Sequence, residues 1–552
     1  MNKFLKIFLG IFAIILLGAG GFAGYLYFQK AETRDAFSFV SPDFMYLLES
    51  DEPIRDWRSL SKSDVWRHLK KNDYLADLTG SADLLDSLIN DNASVAQMVK
   101  LGELLVTAHP IPGNSYDFVF IVDLKKGGSK VAAFKGSLNT LLESFGYKVS
   151  TEKYFNFTIF KLYDPVYKDT LCLALIDNIL VGSYTLDLLK QSIIQTESET
   201  VLNKEDFVKV RQKADLGTSY SIYLNYSRLP ALLDIYMDGP MAIAEGLDKD
   251  LLFSNFDLTV ADKQVEFSGY TLQNDSSASI FRVFQDVGKG SIHAQDILPQ
   301  HTAMFLSFGF EDFSDFVDKL EAFYKKQSPA EYRDLQKKRD LVEDFLDIDI
   351  KRDFFSWMDE EIVLAVIPTD SAMTRYSYYV MFHFKDFKEA KERLDFVGKK
   401  IKRRSPLKFK ELEYKGFELR YLDPKGFFGL FFKKLFKKID QPHYTYLDDY
   451  VVFSNSEENL HYLIDDYLEG KPLARDKDYR RFAGKFDRKS NIFTYIHNEY
   501  AYNFLLADLE GESRASLEKN KAYLMSFPRA GFQLSPSDGM FKTFVFAEFD
   551  AQ

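Results

Sequence analysis

Residues 7–28 carry no charge and are almost continuously apolar. Those 22 residues make about 33 Å of helix at about 1.5 Å per residue, enough to cross a bilayer core. Past residue 40 the pattern changes. Short runs with apolar residues at every second position alternate with stretches of helical period. Strands are expected at 41–49, 103–108, 117–123, 148–151, 155–162, 170–176 and 179–183, and later at 219–225, 253–260 and 264–272. Helical patterning is expected at 53–70, 74–90, 130–145, 186–195 and 204–213, and over most of 229–247.

The same order then recurs. Residues 298–307 repeat the proline-opened strand at Ser41-Pro42, and Glu361-Ile-Val-Leu-Ala-Val366 repeats Glu103-Leu-Leu-Val-Thr-Ala108. Residues 376–402 repeat 117–145, 417–424 repeat 157–165, and 447–454 repeat 176–183. Asp478-Tyr479 followed by 490–497 repeats Asp206-Phe207 followed by 219–225. The terminal strands 531–534 and 541–549 repeat 253–272. Tight polar turns such as Asp177-Asn178, Asp448-Asp449 and Ala261-Asp-Lys263 join neighbouring strands, which makes the sheet mainly antiparallel. The expected fold class is α+β: an N-terminal transmembrane helix, then two tandem copies of an antiparallel sheet unit. Helices are expected on one face of each sheet, with an approximate two-fold relation between the copies. The predicted domains are an anchor at 1–30, a linker at 31–41, copy one at 42–290 and copy two at 297–552.

Charge sets the topology. Lys3 and Lys6 precede the apolar run, so the N-terminus is expected in the cytoplasm and the rest in the periplasm or outside the cell. The competing reading is a cleaved signal peptide, with the small residues 18–24 as the cleavage region. The apolar run is longer than a secretory segment and continues past those residues, which favours a retained anchor in the cytoplasmic (inner) membrane. Gly20 and Gly24 form a small-xxx-small pair that suits packing of two anchors, or are simply tolerated in a membrane helix.

The net charge of −12 argues against a nucleic-acid partner. A single cysteine, Cys172, excludes an intramolecular disulfide. With 52 Phe and 32 Tyr the chain has the apolar material for large cores, so packing must supply the stability.

Ser454-Asn-Ser-Glu-Glu-Asn-Leu460, Tyr467-Leu-Glu-Gly470 and Lys489-Ser-Asn-Ile-Phe-Thr-Tyr-Ile496 resemble a bacterial family of membrane-anchored envelope proteins known only as a domain of unknown function. The resemblance implies an extracytoplasmic setting and brings no catalytic residues with it.

The copies differ at one loop. Asp423-Pro424 is followed by an insertion, 425–441, that has no equivalent after Asp164-Pro165. At helical spacing Phe428, Phe431, Phe432, Leu435, Phe436 and Ile439 share one side, while Lys433, Lys434, Lys437 and Lys438 share the other. A basic, Phe-rich amphipathic stretch suits a membrane interface or an apolar partner. The alternative is that its Phe side packs on the domain core.

Catalytic signatures are missing from the sequence. The eight histidines make no His-x-x-x-His or His-Glu-x-x-His pattern, and no Gly-x-Ser-x-Gly occurs. Four Ser-x-x-Lys matches have no companion motif. No metal, cofactor or catalytic residue is assigned. Glu103 and Glu361 open equivalent strands, which fits a repeated structural role. The leading expectation is a non-enzymatic single-pass envelope protein. Its ectodomain would bind an envelope protein, an apolar ligand or the membrane, with membrane lipid held by the anchor and by 426–439. The alternative is an envelope hydrolase with its site between the copies.

Overall fold

The computed structural model describes residues 34–71, 103–113, 115–123, 148–165, 168–215, 217, 220–236, 246–277, 279–404, 412–421, 439, 442–507 and 509–550. The expected anchor, the helices at 74–90 and 130–145, and the insertion apart from Ile439 lie outside these residues. Among the described residues no helix is long and apolar enough to cross a membrane.

The chain divides into two units at Leu272/Gln273. The strands of unit one are β1 (Tyr46–Ser50), β2 (Leu104–Ile111), β3 (Ser115–Asp123), β4 (Lys148–Tyr154), β5 (Phe157–Asp164), β6 (Asp169–Ile176), β7 (Ile179–Ser183), β8 (Tyr220–Asn225), β9 (Leu251–Ala261) and β10 (Gln264–Gln273). Neighbouring pairs give the order β4-β5-β6-β7-β3-β2-β1-β8-β9-β10. Its helices are α1 (Pro53–Lys62), α2 (Asp64–Leu69), α3 (Leu186–Gln195), α4 (Glu205–Arg211) and α5 (Leu229–Tyr236). The helical pattern expected over 53–70 is interrupted at Ser63, whose hydroxyl accepts the Trp66 N–H and caps α2.

After the helix Ile280–Asp286, the strands of unit two begin with the two-residue β11 (Gly290–Ser291). It continues with β12 (Met304–Gly309), β13 (Met358–Pro368), β14 (Tyr376–Phe384), β15 (Leu412–Tyr414), β16 (Phe417–Tyr421), β17 (His443–Leu447) and β18 (Tyr450–Ser454). Then come β19 (Lys489–Ser490), β20 (Ile492–His497), β21 (Arg529–Ser537) and β22 (Met540–Glu548). Leaving aside the small β11–β19 pair, the order is β15-β16-β17-β18-β14-β13-β12-β20-β21-β22. Strand for strand this is the order of unit one. The repeat is therefore one of hydrogen-bond topology as well as of sequence order, and the described pairings are antiparallel in both units. Registers agree too: Tyr46 faces Ala108 and Leu224 as Met304 faces Val366 and Ile496.

Unit two's helices include α6 (Phe313–Gln327), α7 (Pro329–Leu346), α8 (Phe387–Arg404), α9 (Glu457–Glu469), α10 (Lys477–Ala483) and α11 (Asn498–Ala507). Helices on one face were expected; the sheet of unit two is instead buried on both. Along β14, Val380 and Phe382 enter one core with Phe316 of α6 and Leu394 of α8. Tyr379 and Met381 point the other way, into a second core with Leu463 of α9 and Phe482 of α10. Successive strand residues face opposite sides, so burial on both faces turns an alternating pattern into an apolar run. The run Tyr378-Tyr-Val-Met-Phe382 is that signature.

The α6–α7 hairpin was missing from the sequence reading. Its signals are present: Asp312 caps α6 by accepting the Asp315 N–H, and Pro329 occupies the first turn of α7. Phe313, Phe316, Val317 and Leu320 follow helical spacing. In the linker region, Ala36–Phe39 form a 3-10 turn with Ala36, Phe37 and Phe39 buried, so this part of it belongs to unit one.

Candidate functional site

The two equivalent glutamates have different surroundings. Glu361 lies at the N-terminal part of β13 and is 1 % exposed. Its carboxylate accepts the N–H groups of His293 (2.9 Å) and Ala294 (3.1 Å), and the hydroxyls of Ser307 and Tyr450. The two N–H groups belong to the start of the 3-10 turn Ala294–Asp296, so Glu361 caps it and fastens the segment leading into β12. Next to it Glu360 accepts Ser291 N–H and contacts His293 Nε2 at 2.9 Å. The His293 ring stacks on His383 at 4.7 Å, and His383 Nδ1 meets Asp359 at 3.1 Å. The segment runs so close to the sheet that a Cβ on Gly290 would lie 2.3 Å from the Glu360 carbonyl oxygen. Burial raises the Glu361 pKa while the Ser307, Tyr450 and His293 donors oppose the shift. Burial, aided by His293, lowers that of His383.

In unit one the position of Ser307 is taken by Glu49. Glu103, the counterpart of Glu361, therefore faces a second carboxyl. Arg211 at the end of α4 donates to Glu49 at 2.7 Å and reaches Glu103 at 3.5 Å. The Tyr223 hydroxyl donates to Glu49 at 2.6 Å, and the guanidinium lies 3.9 Å from the centre of the Phe37 ring. Burial and the neighbouring Glu49 charge push the Glu103 pKa well up. Asp51 adds a third carboxylate, with ligand atoms of all three within 4.8 Å of one another. A triad of this kind suits a hard cation, but the Arg211 guanidinium already supplies a positive charge to Glu49 and Glu103.

The entry segment of unit one is fastened as well. Arg34 pairs with Asp177 at 2.6 Å, and its backbone exchanges hydrogen bonds with the Asn178 side chain. Asn178 also donates to Asp123 at 2.7 Å. Sequence reasoning identified Glu103 and Glu361 as equivalent. It missed Glu49, Arg211 and Tyr223, and Ser307 and Tyr450, because these come from other strands and, for Arg211, from helix α4, and are brought together only by the fold.

Among the described residues, two recesses in unit two stand out. One, of about 100 Å³, lies between α6 and α7 and is walled by Phe316, Leu320, Tyr324, Tyr332 and Leu335. Arg339 lines it too, paired with Glu321 at 2.5 Å. The other, of about 340 Å³, is lined by His301, Asp370, Asp465, Asp466, Tyr462 and Tyr500. Its carboxylates have local partners. Asp370 takes the Thr374 hydroxyl and the N–H groups of Thr374 and Arg375, which lower its pKa. Asp465 pairs with Lys415 and Tyr414, and Asp466 with His301.

Of the residues singled out in the sequence, Ile439 is described and is 7 % exposed, inside the core that holds Val380 and Phe382. Phe428, Phe431, Phe432, Lys433, Lys434, Leu435, Phe436, Lys437 and Lys438 lie outside the described residues, as do Gly20 and Gly24.

The family model that matches the chain is described as a protein of unknown function (DUF3352). It covers residues 130–399, just under half of the 552, and runs across the boundary between the units. The motifs at 454–496 fall outside that match. No curated protein matches the chain. Solved structures of TP0453 are similar over part of it. Crystal form III is 10 % identical, covering 47 % of this chain and 90 % of that one at a TM-score of 0.24. Crystal form IV is 12 % identical, covering 44 % and 81 % at a TM-score of 0.24. Likeness at that level carries no argument about fold or function.

Proposed function

We propose that this protein is a non-enzymatic, single-pass envelope protein. Residues 7–28 hold it in the cytoplasmic membrane, and the two-copy ectodomain, outside the cytoplasm, acts by binding a hydrophobic ligand. The observation that carries this reading is how the polar groups are spent. The carboxylates that look most suited to chemistry cap turns, fasten entry segments or pair with fixed cations. The apolar recess between α6 and α7 is walled by aromatic and aliphatic side chains, with Arg339 among them. Ligand sites commonly combine such walls with a few polar groups.

In the same reading, stretch 426–439 adds a contact with the membrane or an envelope partner through Phe428, Phe431, Phe432, Leu435 and Phe436, flanked by its lysines. Ile439, at the end of this stretch, is buried in the core of unit two.

The test uses the full chain in lipid nanodiscs and a photoactivatable fatty acid. Crosslinks mapped by mass spectrometry are expected within 313–346. Leu335→Trp, which fills the recess, should lower their yield by about tenfold, the equivalent of about 1.4 kcal/mol. Crosslinks that spare 313–346, or a yield unchanged in the variant, would count against hydrophobic-ligand binding.

A further inference from the structure

The β4–β5 hairpin ends in an aromatic tip, with Phe155 in the turn and half-buried Tyr154 beside it, its ring 5.2 Å from the Lys190 ammonium of α3. Phe155 occupies its turn with φ at 48° and is 73 % exposed. A bulky side chain in the left-handed region is a backbone outlier, and outliers of this kind concentrate where a function holds them. Tyr154 meets Phe155 edge-on at 4.7 Å, and Lys153 beside it is exposed. The equivalent turn of unit two, between β15 and β16, has Lys415 and Gly416 at positive φ. That hairpin keeps a tyrosine, Tyr414, where Tyr154 stands, but closes with Lys415 in the place of Phe155.

The topology of unit one shows where the tip points. Ile159 pairs with Ala174 and Asp164 with Asp169, so the register continues to Phe157 opposite Ile176. The tip at 155–156 and the β6–β7 turn at Asp177-Asn178 thus lie at the same end of the sheet. Their hairpins are two strand spacings apart, roughly 10 Å. That turn is the one to which Arg34 is fastened through Asp177 and Asn178. Only residues 29–33 separate Arg34 from the apolar run that ends at Phe28. Fully extended, that length of chain reaches about 20 Å. The start of the folded chain and the exposed aromatic tip therefore share one end of unit one, within a short tether of the apolar run.

We infer that the tip of the β4–β5 hairpin, Tyr154 and Phe155, inserts into the interface of the same bilayer that holds residues 7–28, with Lys153 at the headgroups. This rests on the reading of 7–28 as a membrane anchor. The hairpin would hold unit one upright on the membrane by a second contact near the anchor. Tyr suits the interface because its ring is apolar and its hydroxyl stays wet.

The test uses full-length protein with Cys172→Ala, reconstituted in vesicles of phosphatidylcholine and phosphatidylglycerol. An environment-sensitive fluorophore is placed at one of three cysteines: Asn156→Cys at the tip, Lys168→Cys at the opposite end of β5, or Ile14→Cys in the apolar run. Nitroxide-labelled lipids are the quenchers. The inference expects shallow quenchers to act at 156, deep quenchers at 14, and neither at 168. Adding Phe155→Asp, a change at an exposed site, should reduce quenching at 156 to the level at 168. Quenching at 14 with none at 156 overturns the hairpin contact and leaves the anchor standing. Quenching at neither 14 nor 156 overturns both. Equal quenching at 156 with and without Phe155→Asp overturns the role given to Phe155.

Discussion

Glu103 and Glu361 hold the same position in two copies of one fold, yet replacing them should give different results. Glu361→Ala strands two buried backbone N–H groups, of His293 and Ala294, and two hydroxyls, of Ser307 and Tyr450. An unsatisfied buried donor costs about 1–3 kcal/mol, and the hydroxyls can rotate away, so the net loss should be about 3–5 kcal/mol. Glu103→Ala removes the weaker partner of Arg211 and leaves the 2.7 Å Arg211–Glu49 pair and the Tyr223–Glu49 bond in place. Its cost should stay within about 1 kcal/mol at acid pH, where Glu103 is protonated in both states, and should shrink as pH rises. The pH dependence separates the two further. Because the folded pKa of Glu103 is raised, the folded state keeps a proton that the unfolded chain releases above the usual glutamate range. Wild-type stability from this group is therefore complete at low pH and falls as pH rises towards the folded pKa, by up to about 1.4 kcal/mol per unit. Glu103→Ala should remove that slope. The assay is urea unfolding of the full chain in mild detergent, read by tryptophan fluorescence. Trp357 reports the core of unit two, and the Trp57–Trp66 pair, at 5.1 Å, reports unit one. Equal losses from the two alanine variants, or a pH slope unchanged by Glu103→Ala, would refute this reasoning.

Two buried histidines should contribute to the loss of stability in acid. Burial pushes the pKa of His109 in β2 down to about 4, and the same cause with Arg529 nearby pushes that of His497 in β20 down to about 4. Unfolded histidine binds its proton near pH 6.5, so this stability is intact above that value and lost as pH falls towards 4, by up to about 1.4 kcal/mol per unit for each group. His109→Gln should flatten the acid limb of the Trp57–Trp66 signal, and His497→Gln that of Trp357. A limb unchanged by both would show that other groups control it.

How far the sequence could be read depended on the range of the interaction. Strands joined by tight polar turns were legible, since alternation and turn chemistry are local: 179–183 and the turn at Asp448-Asp449 are cases. The repeat was legible because it preserves order. Burial on both faces of unit two was harder to see, since the two-sided run in β14 resembles an ordinary apolar strand until α6, α8, α9 and α10 are placed around it. The α6–α7 pair was missed although its cap and its N1 proline are local signals, and although the helical patterning at 53–70 and 74–90 lies between the equivalent strands of copy one. The equivalence of Glu103 and Glu361 was visible along the chain. Their contrast was not, because it depends on Glu49 against Ser307, which only the strand register sets beside them. The strand expected at 155–162 starts with Phe155; the structure places that residue in the turn, and β5 begins at Phe157.

The claim on which the rest depends is export on a retained anchor. It is tested most directly by placing a single cysteine at exposed Lys263, in the turn after β9, in a Cys172→Ala background and treating spheroplasts with a membrane-impermeant maleimide. The account predicts labelling of Lys263→Cys without lysis, on protein that keeps its full length and stays in the membrane pellet after an alkaline carbonate wash. Labelling only after lysis, or release of the protein by carbonate, would contradict it.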